Sequence, residues 1–168
     1  MIGRVTLTSG READYYVDAK RAILLPAGFA ALGELVAAEA TRLGASAVGG
    51  LTMGADPIAC AALAAGFDGK AFFVRKEAKQ HGLQRRIEGP TLEPGERCLI
   101  VEDVVTSGGS TLEAIAAVRD AGHEIVGVVS VLDRQAGGAE AIEKAIKPAP
   151  YVPFTTIDEI YPDRPDGK

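Results

Sequence analysis

Four short apolar runs, with helical stretches between most of them, constrain this chain more than any other feature. Residues 47–51, 71–74, 97–101 and 125–132 are apolar runs rather than alternating ones, interrupted only by Arg97 and Ser130, as in Ala47-Val48-Gly49-Gly50-Leu51. A strand that is apolar on both faces must be covered on both, which is the condition of a parallel sheet inside an α/β fold. The covers are legible too. Residues 26–43 carry Ala, Leu and Val at helical spacing between Pro26 and Gly44, and Asp56-Pro57 opens an alanine-rich helix ending near Gly66. Residues 110–121 form a helix closed by Gly122, 139–146 a last helix, and 152–157 a last strand. Upstream, residues 4–18 read as strand, turn and strand. The 28 alanines and 20 glycines permit close helix–sheet contact, which favours this architecture over an aromatic-rich sandwich. The expectation is one domain over 1–168, a central parallel sheet flanked by helices with a small N-terminal hood over about 1–25.

The net charge of −5 disfavours duplex nucleic acid and anionic membranes as partners, since both select basic surfaces. That balance is uneven. Residues 75–86 hold five Lys/Arg against one Glu, leaving 13 basic and 22 acidic residues elsewhere, so a +4 segment sits on a −9 body. No run approaches the ~20 apolar residues of a membrane span, and no apolar signal core opens the chain, so a cytoplasmic location is expected. Cys60 and Cys98 each lie in apolar surroundings and are expected to be buried thiols.

In open α/β sheets ligands bind beyond the carboxyl ends of the strands. Here those ends lead into Thr52-Met53-Gly54-Ala55-Asp56, Arg75-Lys76, Glu102-Asp103 and Asp133-Arg134. The densest segment runs from Leu99 to Thr111: two acids at a strand's end, then Val104-Val105-Thr106-Ser107-Gly108-Gly109-Ser110 opening a helix. Glycines and small hydroxylic residues let consecutive backbone N–H groups converge on an anion at the positive end of a helix dipole. The Gly-Lys-Ser/Thr ending of a Walker loop is absent, and the glycine spacing is not that of a dinucleotide site. A cradle for one phosphate beside two acids suits a ribose 5-phosphate, with the acids on the 2- and 3-hydroxyls.

Val101-Glu102-Asp103-Val104-Val105-Thr106-Ser107-Gly108-Gly109-Ser110 resembles the phosphoribosyl diphosphate (PRPP) signature of type I phosphoribosyltransferases. Arg75-Lys76-Glu77-Ala78-Lys79-Gln80-His81-Gly82, followed by Ile87-Glu88-Gly89, is similar to the mobile catalytic loop of orotate phosphoribosyltransferases. Leu7-Thr8-Ser9-Gly10-Arg11 with Tyr15-Tyr16-Val17-Asp18 resembles their hood. The likeness spans about residues 4–135. It implies a type I phosphoribosyltransferase fold with a mobile loop over about 75–89, and Mg2+-dependent transfer of the phosphoribosyl group from PRPP to orotate, giving orotidine 5′-monophosphate and diphosphate.

Residue by residue, the likeness implies Lys79, His81 and Asp103 in catalysis. It implies Arg75, Lys76, Lys79, His81, Glu102, Asp103, Val104, Val105, Thr106, Ser107, Gly108, Gly109 and Ser110 around PRPP. Orotate falls to Thr106, Arg134, Tyr16 and Val17. Mg2+ would arrive on the diphosphate and ribose hydroxyls rather than on direct protein ligands. A homodimer is implied, with Arg75 or its loop reaching the neighbouring site. Displacement at an anomeric carbon passes through an oxocarbenium-like state, so the protein's task is electrostatic rather than nucleophilic. Two departures stand out. Thr8 and Met53-Gly54 occupy positions where many orotate enzymes carry a phosphate-binding lysine. The rival readings are a purine-base phosphoribosyltransferase, separable by turnover with orotate against xanthine, guanine and adenine, and a non-catalytic nucleotide sensor on the same fold.

Overall fold

The computed structural model describes residues 2–6, 12–15, 17–77 and 86–164. Strands β1 (Ile2–Thr6) and β2 (Glu12–Tyr15) form a separate antiparallel pair. Next come α1 (Lys20–Ile23), α2 (Pro26–Leu43), β3 (Ala47–Leu51), α3 (Asp56–Ala64), β4 (Lys70–Val74) and β5 (Ile87–Glu88). The chain continues through β6 (Arg97–Val105), α4 (Gly109–Asp120), β7 (Glu124–Asp133), α5 (Gly138–Ile146), β8 (Tyr151–Thr156) and α6 (Ile157–Ile160). The larger sheet runs β5-β4-β3-β6-β7-β8, parallel throughout except for the antiparallel edge strand β5.

Both faces are covered, as the continuous apolar strands require. On one face Ile100 and Val128 pack with Ala114 and Val118 of α4 and Ile142 of α5. On the other, Val48, Leu99 and Val101 pack with Val36 of α2 and Ile58 and Ala62 of α3. Small residues set the helix spacing: a Cβ on Gly33 of α2 would stand 2.4 Å from the Ala61 carbonyl oxygen of α3. Helix α2 begins at Pro26 and ends at Gly44, whose φ of 66° lets the N–H groups of Gly44 and Ala45 close on Thr41 and Ala40 carbonyls.

The sequence order reverses between β3 and β6. From β3 the chain goes outward to β4 on one side, and from β6 it goes through β7 to β8 on the other. Their neighbouring carboxyl ends therefore flank the crevice that such a switch point leaves open.

Several expectations need correction. Strand β6 runs on to Val105, so Glu102 and Asp103 lie inside its carboxyl half, because pairing with the ten-residue β7 extends it. The short elements α1, β5 and α6 carry no periodicity that sequence reading can use. Cys60 is exposed on α3, while Cys98 is fully buried and its thiol is pushed up to about 12 by that burial. His123 is half-buried, with Nδ1 3.1 Å from the Glu93 carbonyl. Among the described residues no helix is long and apolar enough to cross a membrane.

At the amino ends of the strands, one carboxylate ties three of them together. Glu96, just before β6, accepts from Lys70 Nζ of β4 at 2.6 Å, from Ser46 Oγ before β3 at 2.5 Å, and from the Glu93 N–H at 2.8 Å. Lys70 first, then Ser46, hold its carboxyl down at about 2, against an ordinary 4.5. A depressed folded-state pKa means stability that is complete above the unfolded value and lost as pH falls through the folded one. Glu96→Gln should therefore lower stability by about 1–2 kcal/mol near neutral pH, a charge-assisted bond discounted for the part-exposed lysine. In thermal unfolding the gap from the parent protein should narrow as pH drops from about 5 towards 2. An equal gap at pH 3 and pH 6 would rule out this account of Glu96.

Candidate active site

The crevice is built from loops after β3 and β6 and from the end of β7. Successive residues of a strand leave on opposite faces, and the two acids follow that rule. Glu102 turns towards α4, where Thr111 Oγ1 donates to its Oε2 at 3.2 Å. Asp103 turns towards α1, where Lys20 Nζ lies 3.0 Å from its Oδ2. Glu102 is 6% exposed. Burial, and then the charge of Asp103, pushes its carboxyl up to about 8. Lys20 shows the opposite balance. Its burial works against the charge, but Asp103 and Asp18 (3.2 Å) outweigh it and raise its pKa above the ordinary value.

The loop after β3 closes on the same acid. A Cβ on Gly54 would stand 2.4 Å from Asp103 Oδ1, so a side chain there would have to displace the Asp103 carboxylate. Thr52 anchors the loop by giving both its N–H (2.9 Å) and its Oγ1 (2.8 Å) to the Val74 carbonyl. The Thr52–Met53 peptide is cis. Facing Met53, an open cavity of about 490 Å3 is lined by Thr52, Met53, Arg75, Lys76 and Glu77. Arg75 Nη1 lies 3.5 Å from Glu88 Oε1, while Arg86 donates to the Arg75 and Lys76 carbonyls at 3.0 Å and pairs with Glu113 of α4. Arg86 thus fastens together the two described ends of the basic segment. A second hollow, between β5 and the end of α4, lies away from these groups, and its Arg86 and His123 already have partners.

After Val105, Thr106 and Ser107 are exposed and Gly108 takes φ 79°, leading into α4. That helix has no side-chain cap and no acid in its first turn, so no capping side chain occupies its first N–H groups. The cradle is braced from behind by α5. A Cβ on Gly138 would stand 2.6 Å from the Thr106 carbonyl oxygen and from Val105 Cγ1, and 2.9 Å from Gly108 N. Val104 donates its N–H to Asp103 Oδ1 at 2.9 Å.

Arg134 sits at the end of β7, its N–H bonded to the Val105 carbonyl at 2.8 Å. Its guanidinium carbon lies 4.8 Å from the centroid of Tyr15, a residue 4% exposed in strand β2. Val17 is half-buried nearby in sequence; Tyr16, Lys79 and His81 lie outside the described residues. Below, Asp133 is buried and accepts from the Gln135 N–H at 2.7 Å.

The structure therefore brings together Glu102, Asp103, the cradle and Arg134, with Arg75 and Lys76 across the crevice. Sequence reading missed Lys20, Gly54, Gly138 and the Tyr15 platform. Lys20 opens a Lys20-Arg21 pair two residues past the Tyr16-Val17-Asp18 motif, and nothing in its spacing marks it.

The sequence profile of the phosphoribosyl transferase domain matches residues 45–148. An orotate phosphoribosyltransferase of Corynebacterium glutamicum is 51% identical over 150 residues, 89% of this chain and 80% of that protein. That of Streptomyces avermitilis is 54% identical over 145 residues, 84% of this chain and 79% of its own. Among solved structures, Mycobacterium tuberculosis orotate phosphoribosyltransferase in complex with 5-phospho-α-D-ribosyl 1-diphosphate superposes with a TM-score of 0.80 at 43% identity. The match covers 95% of this chain and 90% of that one.

Proposed function

The chain belongs to the phosphoribosyltransferase family, among its orotate phosphoribosyltransferases, and on that footing we propose which of its residues carry the reaction. It transfers the phosphoribosyl group of PRPP to orotate in pyrimidine biosynthesis. One observation supports the division of labour that follows: an acid pair and an uncapped helix start stand at the switch point, with a guanidinium at the next strand end.

The 5-phosphate lies on the N–H groups of Thr106, Ser107, Gly108, Gly109 and Ser110, where the dipole of α4 favours it. Asp103, with Glu102 behind it, takes the ribose hydroxyls, while Val104 and Val105 present the strand edge. Arg75, Lys76, Lys79 and His81 surround the diphosphate. As the C1–O bond lengthens, positive charge grows on the ribose and negative charge on the leaving diphosphate. Asp103 stabilises the first and Lys79 and His81 the second, in a site that excludes water. Arg134 pairs with the orotate carboxylate through the two-pronged geometry of a guanidinium. Thr106, Tyr16 and Val17 hold the pyrimidine between cradle and hood.

Two adjacent carboxylates beside a phosphate cradle fit Mg2+ that enters on its substrate. Asp103 and Glu102 would meet it there, and when bound it neutralises charge on the diphosphate. The β1–β2 pair serves as the hood of a single domain, and the protein works in the cytoplasm as a homodimer, with Arg75 or its segment reaching the neighbouring site.

The test is Lys79→Ala. Turnover with saturating PRPP and orotate should fall about 100-fold or more, the scale of removing one preorganised donor to a developing charge. The KM for orotate should change little. Unchanged turnover contradicts the role of Lys79.

A further inference from the structure

We propose that Tyr15, braced by Tyr161, is a positioning residue for the acceptor site: its ring orients Arg134 so that the guanidinium edge stays open to a carboxylate. The inference rests on the assignment of Arg134 to the orotate carboxylate made above.

Three observations carry it. The Arg134 guanidinium lies over the Tyr15 ring, 4.8 Å from its centroid. The Tyr15 ring meets that of Tyr161 edge to face, with centroids 5.5 Å apart and planes at 89°. Arg134 Nε is buried without a hydrogen-bond partner among the described residues. A buried, unanswered N–H is costly unless something arrives to accept it.

The chemistry explains why an aromatic ring, rather than an acid, does this task. An arginine side chain loses much rotamer freedom when it is held for a ligand, and holding it beforehand improves affinity. A carboxylate could hold it, but would occupy the same N–H edge that the ligand needs and would cancel the charge. A ring holds the face of the guanidinium instead and leaves the in-plane donors to a bidentate anion. Tyr161 fixes the ring plane in turn, since edge-to-face packing is a preferred aromatic geometry. Tyr15 and Tyr161 both fall outside residues 45–148, the stretch matched by the phosphoribosyl transferase domain. The hood and the carboxyl-terminal segment thus act together on acceptor recognition, while the matched stretch supplies the phosphoribosyl site.

The experiment compares Tyr15→Leu, Tyr15→Phe, Tyr161→Leu and Arg134→Gln in the full chain, measuring the KM for orotate, the KM for PRPP and kcat. Tyr15→Leu should raise the KM for orotate about 5- to 30-fold, the range of a desolvated cation–π contact, with the KM for PRPP within about twofold. Tyr15→Phe keeps the ring and should restore orotate binding. Tyr161→Leu should give the same split at smaller size, and it decides the matter if Tyr15→Leu does not fold. An orotate KM that stays put, or that rises only in step with the PRPP KM, overturns the proposal. Arg134→Gln separates the two levels. If it spares the orotate KM, the assignment of Arg134 fails; if it raises that KM while the tyrosine variants do not, only the positioning role fails.

Discussion

Asp103→Asn is expected to lower kcat/KM for PRPP about 100- to 10,000-fold, because it removes charge-assisted bonds to two ribose hydroxyls worth about 1.5–3 kcal/mol each, with 1.36 kcal/mol to the tenfold. The carboxylate is set for that task from three sides. Lys20 holds Oδ2 at 3.0 Å, the Val104 N–H holds Oδ1 at 2.9 Å, and Gly54 packs against it. An asparagine would turn one acceptor into a donor facing the Lys20 ammonium, so the side chain would also lose its orientation. Glu102→Gln provides the contrast. Since burial keeps Glu102 protonated up to about pH 8, an amide there changes neither charge nor shape greatly, and kcat/KM should move by less than about tenfold. Steady-state rates with varied PRPP measure both variants. Equal losses in the two would show that the acids act as one unit rather than as the strand's two faces separate them.

The second large effect is expected from a residue with no functional group. Gly138→Ala puts a methyl 2.6 Å from the Thr106 carbonyl oxygen and Val105 Cγ1 and 2.9 Å from Gly108 N, distances at which backbone must move. The atoms that must move are those of the phosphate cradle. A displacement on the order of 1 Å at a binding constellation costs about 100-fold, so the KM for PRPP should rise by roughly that factor. Overpacking should cost about 1–3 kcal/mol of stability besides. Thermal unfolding and PRPP titration together separate these effects. A stable variant with an unchanged PRPP KM would show that α5 does not brace the cradle.

Much of this was legible beforehand. Helix α2 is bounded by Pro26 and Gly44 as expected, since a fixed φ at the start and a left-handed residue at the end are local requirements. Strand β3 spans Ala47–Leu51 as expected, because burial on both faces leaves an unbroken apolar run. The segment from Glu102 to Ser110 points to a phosphate and ribose site through residue types alone. What stayed hidden was contact across long stretches of chain. Lys20 meets Asp103 across 83 residues, and no periodicity reports such a meeting. The resemblance assigns Arg134 to orotate, but nothing in the sequence shows that its neighbour is a ring from β2.

The sequence by itself determined the layered α/β architecture, the order of its main elements and the chemical class of its ligand, because apolar period, helix ends and residue types act within a few residues. Tertiary structure alone decided that the two acids divide between opposite faces, one buried against Thr111 and one paired with Lys20. It decided too that Gly138 leaves no room for a side chain, and that an aromatic face rather than an acid lies against Arg134. Protonation, close approach and orientation depend on what the fold brings within a few ångströms, and neighbours in space are not written as neighbours in sequence.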